Sequence, residues 1–411
     1  MLECYDFIIY IFLAPILEKV FFADQSGYIA TLKTLAIFSI GYLLRPLGGI
    51  IFSHLGDRHG RKVTFLLTVL FMAVPSFAIG LLPTANAIGN FAPFMLLIFR
   101  MMQGLAFGGE IPAAITFVFE HSLPNKRGLS LGILFVGTNL GLLLGSFTTS
   151  TLSTLLSPDQ LITYGWRIPF LLGGMFGILS IFLRRQLQET AAFASLAQKD
   201  IARIPFIVLL QRSRKEIFAG MFLVALGAIA IFLYLYWPQY LHQYLHYDFT
   251  TLMYINTICL FLMNIAIIAG GLLADKIGYR RAHLINSAAL ALLTYPLFFL
   301  FQLQSFTWVI VSYLIFSILF GMFPAGYLGV LTQLFPTHIR YSGYNLAYAI
   351  VGGLSPIVST ISIHVFQSVM APAVYIMMIA ACSFVACYLM KPQKHASWIE
   401  QNETHEQYAH T

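Results

Sequence analysis

Apolar residues run along this chain in long blocks, not in strict alternation and not in the three-and-four stripe of a helix lying on a soluble core. Twelve blocks can be bounded, at about 3–22, 32–54, 63–83, 91–121, 127–150, 166–185, 216–240, 251–273, 282–301, 307–335, 342–366 and 370–390. Each is long enough to cross a hydrocarbon layer of about 30 Å as a helix. Blocks that are apolar all round belong to buried or lipid-facing helices. The strands of a membrane barrel would instead read as shorter alternating segments. The pattern therefore predicts an all-α membrane protein of twelve transmembrane helices.

Polar residues punctuate the blocks unevenly. The longest polar stretch, Arg184 to Lys215, leaves six blocks on either side. This predicts an N-terminal six-helix bundle over 1–185, a cytoplasmic linker over 186–215, a C-terminal six-helix bundle over 216–390 and a cytoplasmic tail over 391–411. Two charged strings, "GDRHGRK" from Gly56 and "ADKIGYRR" from Ala274, each follow the second block of a half, and their acids, Asp57 and Asp275, stand 218 residues apart. An internal repeat of this kind marks many secondary transporters. In both strings an acid comes first, then a glycine, then cations: Asp57, Arg58, Gly60 and Arg61 in one, Asp275, Lys276, Gly278 and Arg280 in the other. A carboxylate at a helix end can accept hydrogen bonds from the N-terminus of a neighbouring helix. Glycine permits the sharp reversal that a two-helix hairpin needs.

Composition strengthens this picture. Charged residues make up 9% of the 411 and hydrophobic residues 59%, whereas a soluble domain carries about 25% charge. The formal charge of +7 would suit a nucleic-acid binder, but its placement argues otherwise. Of the 23 Lys and Arg residues, 18 fall in the loops on one side of the twelve blocks, and the exceptions are Lys19, Lys33, Arg45, Arg100 and Arg167. Basic loops stay in the cytoplasm, so both termini are expected there and the positive charge reports topology. The four cysteines, Cys4, Cys259, Cys382 and Cys387, are scattered through apolar surroundings, a poor basis for a disulfide or a metal site. His242 and His246 lie one helical turn apart but in an outer loop. No Ser/His, paired-Asp or metal-ligand set has catalytic spacing, so neither an enzyme nor a bound cofactor is expected.

An ionisable side chain in the membrane costs about 2.5–3.5 kcal/mol on insertion scales and is a functional candidate for that reason. The candidates are Asp6, Glu18, Lys19, Arg45, Arg100 and Glu110. Glu18 and Lys19 stand near the outer end of the first block, where they can snorkel. Arg45, just before Pro46, fits either packing or a cavity. The fourth block concentrates Arg100, Gln103, Gly104, Gly108, Gly109 and Glu110. Its glycines allow a neighbouring helix to approach closely. Arg100 keeps its charge and can bind an anionic group, while Glu110 can exchange a proton. Ten residues separate the two, about 15 Å along a helix, so they need not touch. Either they form a fixed polar network between packed helices, or Glu110 with Asp6 carries a coupling proton while Arg100, with Gln103 and Arg45, takes a substrate carboxylate. The second half offers uncharged candidates: Tyr236, Trp237 and Tyr240 on the seventh block, Tyr327 on the tenth and Asn345 on the eleventh. The seventh-block aromatics either cage a quaternary ammonium group or anchor the helix among headgroups.

The charged strings resemble the signature loop of the major facilitator superfamily, Gly-x-x-x-Asp-Arg/Lys-x-Gly-Arg/Lys-Arg/Lys. The second copy matches at Gly271, Asp275, Lys276, Gly278, Arg280 and Arg281, with Tyr279 interposed; the first has Ser53 in place of the leading glycine. Further stretches resemble the metabolite:proton symporter branch, which includes proline/betaine, dicarboxylate, citrate and shikimate carriers. They are "YDF" at Tyr5, "RPLGG" at Arg45, "RMMQGLAFGGE" ending at Glu110, "GWRIPF" at Gly165, "LRRQLQETAAF" at Leu183 and "FPTHIRYSG" at Phe335. Cys4, Ala191 and Gln333 depart from the branch pattern, and its members carry a longer segment before "YDF", which implies an upstream start or a short first span. The resemblance implies proton-coupled symport of a small organic solute, either a zwitterion such as proline or betaine or an organic acid, by alternating access. A monomer in the inner membrane suffices, and no nucleic acid is involved. An uncoupled facilitator, or less readily a membrane sensor, fits the same fold. It places Tyr5 and Asp6 at the cavity with the fourth span. It also implies a cytoplasmic gate in which Asp57 meets the start of span 11 near Arg340 and Ser342, Asp275 meets the start of span 5 near Arg127 and Gly128, and Glu120 pairs with Arg58 or Arg61.

Overall fold

The computed structural model describes residues 2–22, 27–189, 213–335, 339–345 and 368–390. Residues 190–212 of the expected linker, the expected tail, and span 11 beyond Asn345 lie outside the described residues. The helices are α1 (Leu2–Phe21), α2 (Gly27–Leu43), α3 (Arg45–His59), α4 (Arg61–Leu81), α5 (Phe91–His121), α6 (Arg127–Leu155) and α7 (Arg167–Arg185), followed by α8 (Arg214–Leu245), α9 (Phe249–Ile277), α10 (Tyr279–Phe301), α11 (Phe306–Leu334) and α12 (Ala371–Leu389). Two short turns, Ala85–Ile88 and Pro158–Gly165, precede α5 and α7. Helix is the only regular structure among the described residues. Eight segments among them are long and apolar enough to cross a membrane: α4 to α7, residues 254–277 of α9, and α10 to α12. The predicted second span is split into α2 and α3 at Leu44, where Pro46 supplies no N–H to continue the ladder.

The chain forms two compact units, residues 1–114 with 134–189, and residues 115–133 with 190–411. In the first, α4 lies along α7 and α1 packs on α2 and α7. The α4–α7 crossing is glycine-lined: a Cβ on Gly177 would come within 2.3 Å of the Ala73 methyl. In the second, α9 and α10 pack on α11, and α12 packs on α8 and α10. The pairing of the third with the sixth predicted span thus recurs as the pairing of the ninth with the twelfth.

Both charged strings form the same one-residue reversal. Gly60, between α3 and α4, has φ 109°, and Gly278, between α9 and α10, has φ 89°; side chains with a Cβ rarely adopt that region. Buried hydroxyls bond back to their own helices, as Thr68 to Phe65, Ser287 to His283, Thr294 to Leu290 and Thr332 to Leu328, because the apolar surroundings offer no other acceptor. Arg167, one of the basic residues outside the loops where Lys and Arg gather, donates to the carbonyls of Gly80 (3.0 Å) and Leu82 (2.7 Å) at the end of α4. It terminates a helix, and so it does not contradict the charge rule.

Candidate functional site

A chain of four polar side chains runs through the interior of the first unit. Arg100 and Gln103 are three residues apart on α5 and share a face; the Arg100 guanidinium donates to Gln103 Oε1 at 2.8 Å. The Gln103 amide donates to Ser76 Oγ on α4 at 2.8 Å, and the Ser76 hydroxyl donates to Asp6 Oδ2 on α1. All four are buried. Every donor points from the cation toward the carboxylate, so the bonds polarise one another in one direction. Ser76 has a single proton and also faces the Met72 carbonyl at 2.8 Å, which gives its hydroxyl two alternative acceptors. Asp6 Oδ1 has no hydrogen-bond partner among the described residues. It rests against Gly173 of α7, where a Cβ would come within 2.2 Å of it. Arg100 also lies 4.2 Å above the ring of Tyr10.

Asp6, Arg100 and Gln103 line one cavity together with Arg45, Gly41, Gly104, Met72 and Phe107. Its volume of about 20 Å³ is room for one water, so a solute of several heavy atoms needs the helices to part. Arg45 stacks on Phe107 at 3.7 Å. The wall between α2, α3 and α5 is made by backbone approach: a Cβ on Gly104 would stand 2.1 Å from the Gly41 carbonyl oxygen, and one on Gly108 2.0 Å from that of Arg45. The glycines of the fourth block therefore serve helix contact, as their type suggested. Tyr5 is buried beside Asp6, with its hydroxyl donating to the Pro169 carbonyl at 3.1 Å.

Glu110 does not line this cavity. Its carboxylate accepts from Arg184 of α7 at 2.6 Å, and Arg184 also donates to the Phe65 carbonyl at 3.0 Å and covers the Phe65 ring at 3.6 Å. Ten residues along a helix move a side chain about 15 Å and turn it roughly a quarter turn from Arg100. That step carries Glu110 to another neighbour. Arg184 counts in the sequence as one more cytoplasmic cation, and Ser76 as one hydroxyl in an apolar block. Nothing local in the sequence distinguishes either.

The two hairpins differ in the residue one turn after the acid. In the first, Asp57 pairs with Arg61, one turn on and fully buried, and Arg61 also donates to the Gly56 carbonyl at 2.8 Å. Glu189 accepts the N–H groups of Arg61 and Lys62, both at 3.1 Å, and so caps α4. In the second, Tyr279 occupies the place of Arg61, and its hydroxyl donates to Asp275 at 3.1 Å. Asp275 accepts the N–H of Gly128 at 2.6 Å and of Leu129 at 2.9 Å, at the start of α6. A carboxylate there satisfies two orphan donors and opposes the positive end of the helix. Arg280 caps α12 through the carbonyls of Cys387 (3.3 Å) and Tyr388 (2.7 Å). Arg127 covers the ring of Phe119 at 4.5 Å, while Arg58 and Lys276 are exposed. The Glu120 carboxylate accepts from Arg340 at 2.8 Å, a contact beyond the expected pairing with Arg58 or Arg61. Arg61 is held by Asp57, one turn away on its own hairpin, which the one-residue reversal at Gly60 brings about.

In the second unit Trp237 is enclosed by the rings of Phe301, Tyr313, Phe316 and Phe320 at 4.8–6.1 Å. Trp237 is fully buried within this aromatic shell. Tyr240 donates to the Val369 carbonyl at 2.6 Å. Tyr327 stacks on Phe323 at 4.8 Å and fits against Gly227. Asn345 is buried. The side chain of Tyr236 lies outside the described residues.

Residues 1–360 match the Major Facilitator Superfamily. A putative proline/betaine transporter of Staphylococcus aureus (strain COL) is 34% identical over 393 residues, which are 93% of this chain and 84% of that protein. The proline/betaine transporter of Escherichia coli K12 is 33% identical over 408 residues, 95% of this chain and 81% of that one. The structure of the proton:xylose symporter XylE bound to 6-bromo-6-deoxy-D-glucose superimposes with a TM-score of 0.75 at 15% identity, covering 95% of this chain and 92% of the other. FucP in its outward conformation gives 0.66 at 15% identity, with 94% and 97% covered. Helices of this length and a site built inside them define an integral membrane transporter. The chain belongs to the Major Facilitator Superfamily.

Proposed function

We propose that this transporter is a proton-coupled symporter of a small zwitterionic solute of the proline or betaine kind, with a small organic acid as the alternative cargo, and that it works by alternating access between two six-helix bundles with both termini in the cytoplasm. The observation that carries the reading is the one-way chain from Arg100 through Gln103 and Ser76 to Asp6, with cation and carboxylate facing one cavity. A solute carboxylate competes with Gln103 for the Arg100 donors. When it wins, the chain no longer supplies Asp6 with a polarised donor, and Asp6 is best kept neutral by a proton. A protonated Asp6 in turn leaves the charge of Arg100 uncompensated and favours an incoming anion. Each ligand therefore strengthens the other, the reciprocity that coupled transport requires. The names of the relatives favour the zwitterion. Arg45 adds a second cation for a carboxylate, and Glu110, held by Arg184, is the other acid through which a proton could pass.

Reconstitution in liposomes tests this reading. Proline, glycine betaine and a set of di- and tricarboxylates are compared first by counterflow, which needs no gradient. A transported solute is then followed with the outside acidified. Asp6→Asn is expected to keep counterflow and lose accumulation. If acidification leaves uptake by the unaltered protein unchanged, the chain is an uncoupled facilitator. Should Glu110→Gln, and not Asp6→Asn, abolish accumulation, Glu110 is the proton carrier.

A further inference from the structure

Between the first turns of α8 and the last turns of α12 lies an open groove of about 570 Å³. Its floor is apolar: Phe218, Phe222, Val385 and Leu389 line it, and Leu389 is 70% exposed. At its mouth stand two adjacent cations, Arg214 and Lys215, both exposed. The Ser213 side chain makes no capping bond to the first turn of α8, and the positive end of that helix stands beside the two cations. Glu216 belongs to the same turn and is not part of the groove lining. Because α12 is a membrane-crossing segment, an occupant of this floor is drawn from the bilayer, and the mouth lies on the side where Lys and Arg gather. An apolar slot that ends in two cations and a helix N-terminus matches an acyl chain joined to a phosphodiester.

We propose that this groove binds an anionic phospholipid of the cytoplasmic leaflet. One acyl chain lies along Phe218, Val385 and Leu389, and the headgroup phosphate sits between Arg214, Lys215 and the start of α8. The site shares no residue with the cavity around Asp6 and Arg100, so it stands independently of the proposed transport reaction.

The test is native mass spectrometry of the full chain, titrated with phosphatidylglycerol and with phosphatidylcholine of the same acyl chains. Two basic residues at about 1 kcal/mol each imply a preference for the anionic lipid on the order of tenfold to thirtyfold. R214Q/K215Q is expected to bring that preference close to one, and Ala381→Trp, which fills the slot, to weaken retention of both lipids. R214K/K215R keeps both charges and serves as the folding control, with preference retained. The proposal is overturned if R214Q/K215Q retains phosphatidylglycerol as tightly as the unaltered chain, or if Ala381→Trp leaves both lipids unaffected.

Discussion

Arg100 and Asp6 carry opposite charges joined through two neutral side chains, and Ser76 is the link that can be removed without touching either charge. Ser76→Ala leaves a buried carboxylate without its donor, a loss of about 1.5–3 kcal/mol for a bond to a charged group. Accumulation driven by a proton gradient is expected to fall by roughly tenfold or more, with counterflow less affected; equal losses in both assays would make Ser76 a packing residue only. Arg100→Lys keeps the charge and loses the planar fork that reaches Gln103 and covers Tyr10. A raised KM for the solute is expected, measured as initial uptake against concentration. At this scale the sequence made Asp6, Arg100 and Gln103 legible, because charge in an apolar block has no cheap structural explanation. Ser76 and Arg184 were not legible, since a hydroxyl or a loop-side cation becomes functional only through the partner that packing gives it.

Elements obey a second set of constraints. Gly60 and Gly278 reverse the chain in one residue at positive φ. Replacing either with alanine is expected to cost about 1–3 kcal/mol and to lower the thermal unfolding temperature of the purified carrier. Gly89 also has positive φ, but a Cβ there would meet open space, and it sits in a loop outside either hairpin. Gly104→Val should be worse than either hairpin change, because the added atoms would meet the Gly41 backbone, which cannot move aside as a side chain could. The hairpins show how the repeat diverged. Arg61 and Tyr279 hold equivalent places one turn after their acids: Arg61 pairs with Asp57, while the Tyr279 hydroxyl donates to Asp275, which also accepts from the start of α6.

For the whole molecule, the pairing of Asp275 with Gly128 and Leu129 joins α9 to the start of α6, and Arg340 is tied to Glu120 at the end of α5. Asp275→Asn keeps a hydrogen-bond acceptor and removes the charge, a change worth about 0.3–1 kcal/mol at a helix terminus. Uptake is expected to drop with the amount of protein in the membrane unchanged. Unaltered uptake would mean that this contact does not restrain the transport cycle. Asp57→Asn provides the matching measurement for the first hairpin.

The sequence by itself determined that this is a helical membrane protein with an internal repeat, where its hairpins turn, and that Asp6, Arg100 and Glu110 lie inside it. Those properties depend on hydrophobic length, glycine stereochemistry and the cost of burying charge, all of which are local. Tertiary structure alone decided that Arg100 reaches Asp6 through Gln103 and Ser76, that Glu110 belongs to Arg184 and Glu120 to Arg340, and that Trp237 sits within its own aromatic shell. Partners are chosen by the rotation and crossing of helices far apart in the chain, and a run of apolar residues leaves both undetermined.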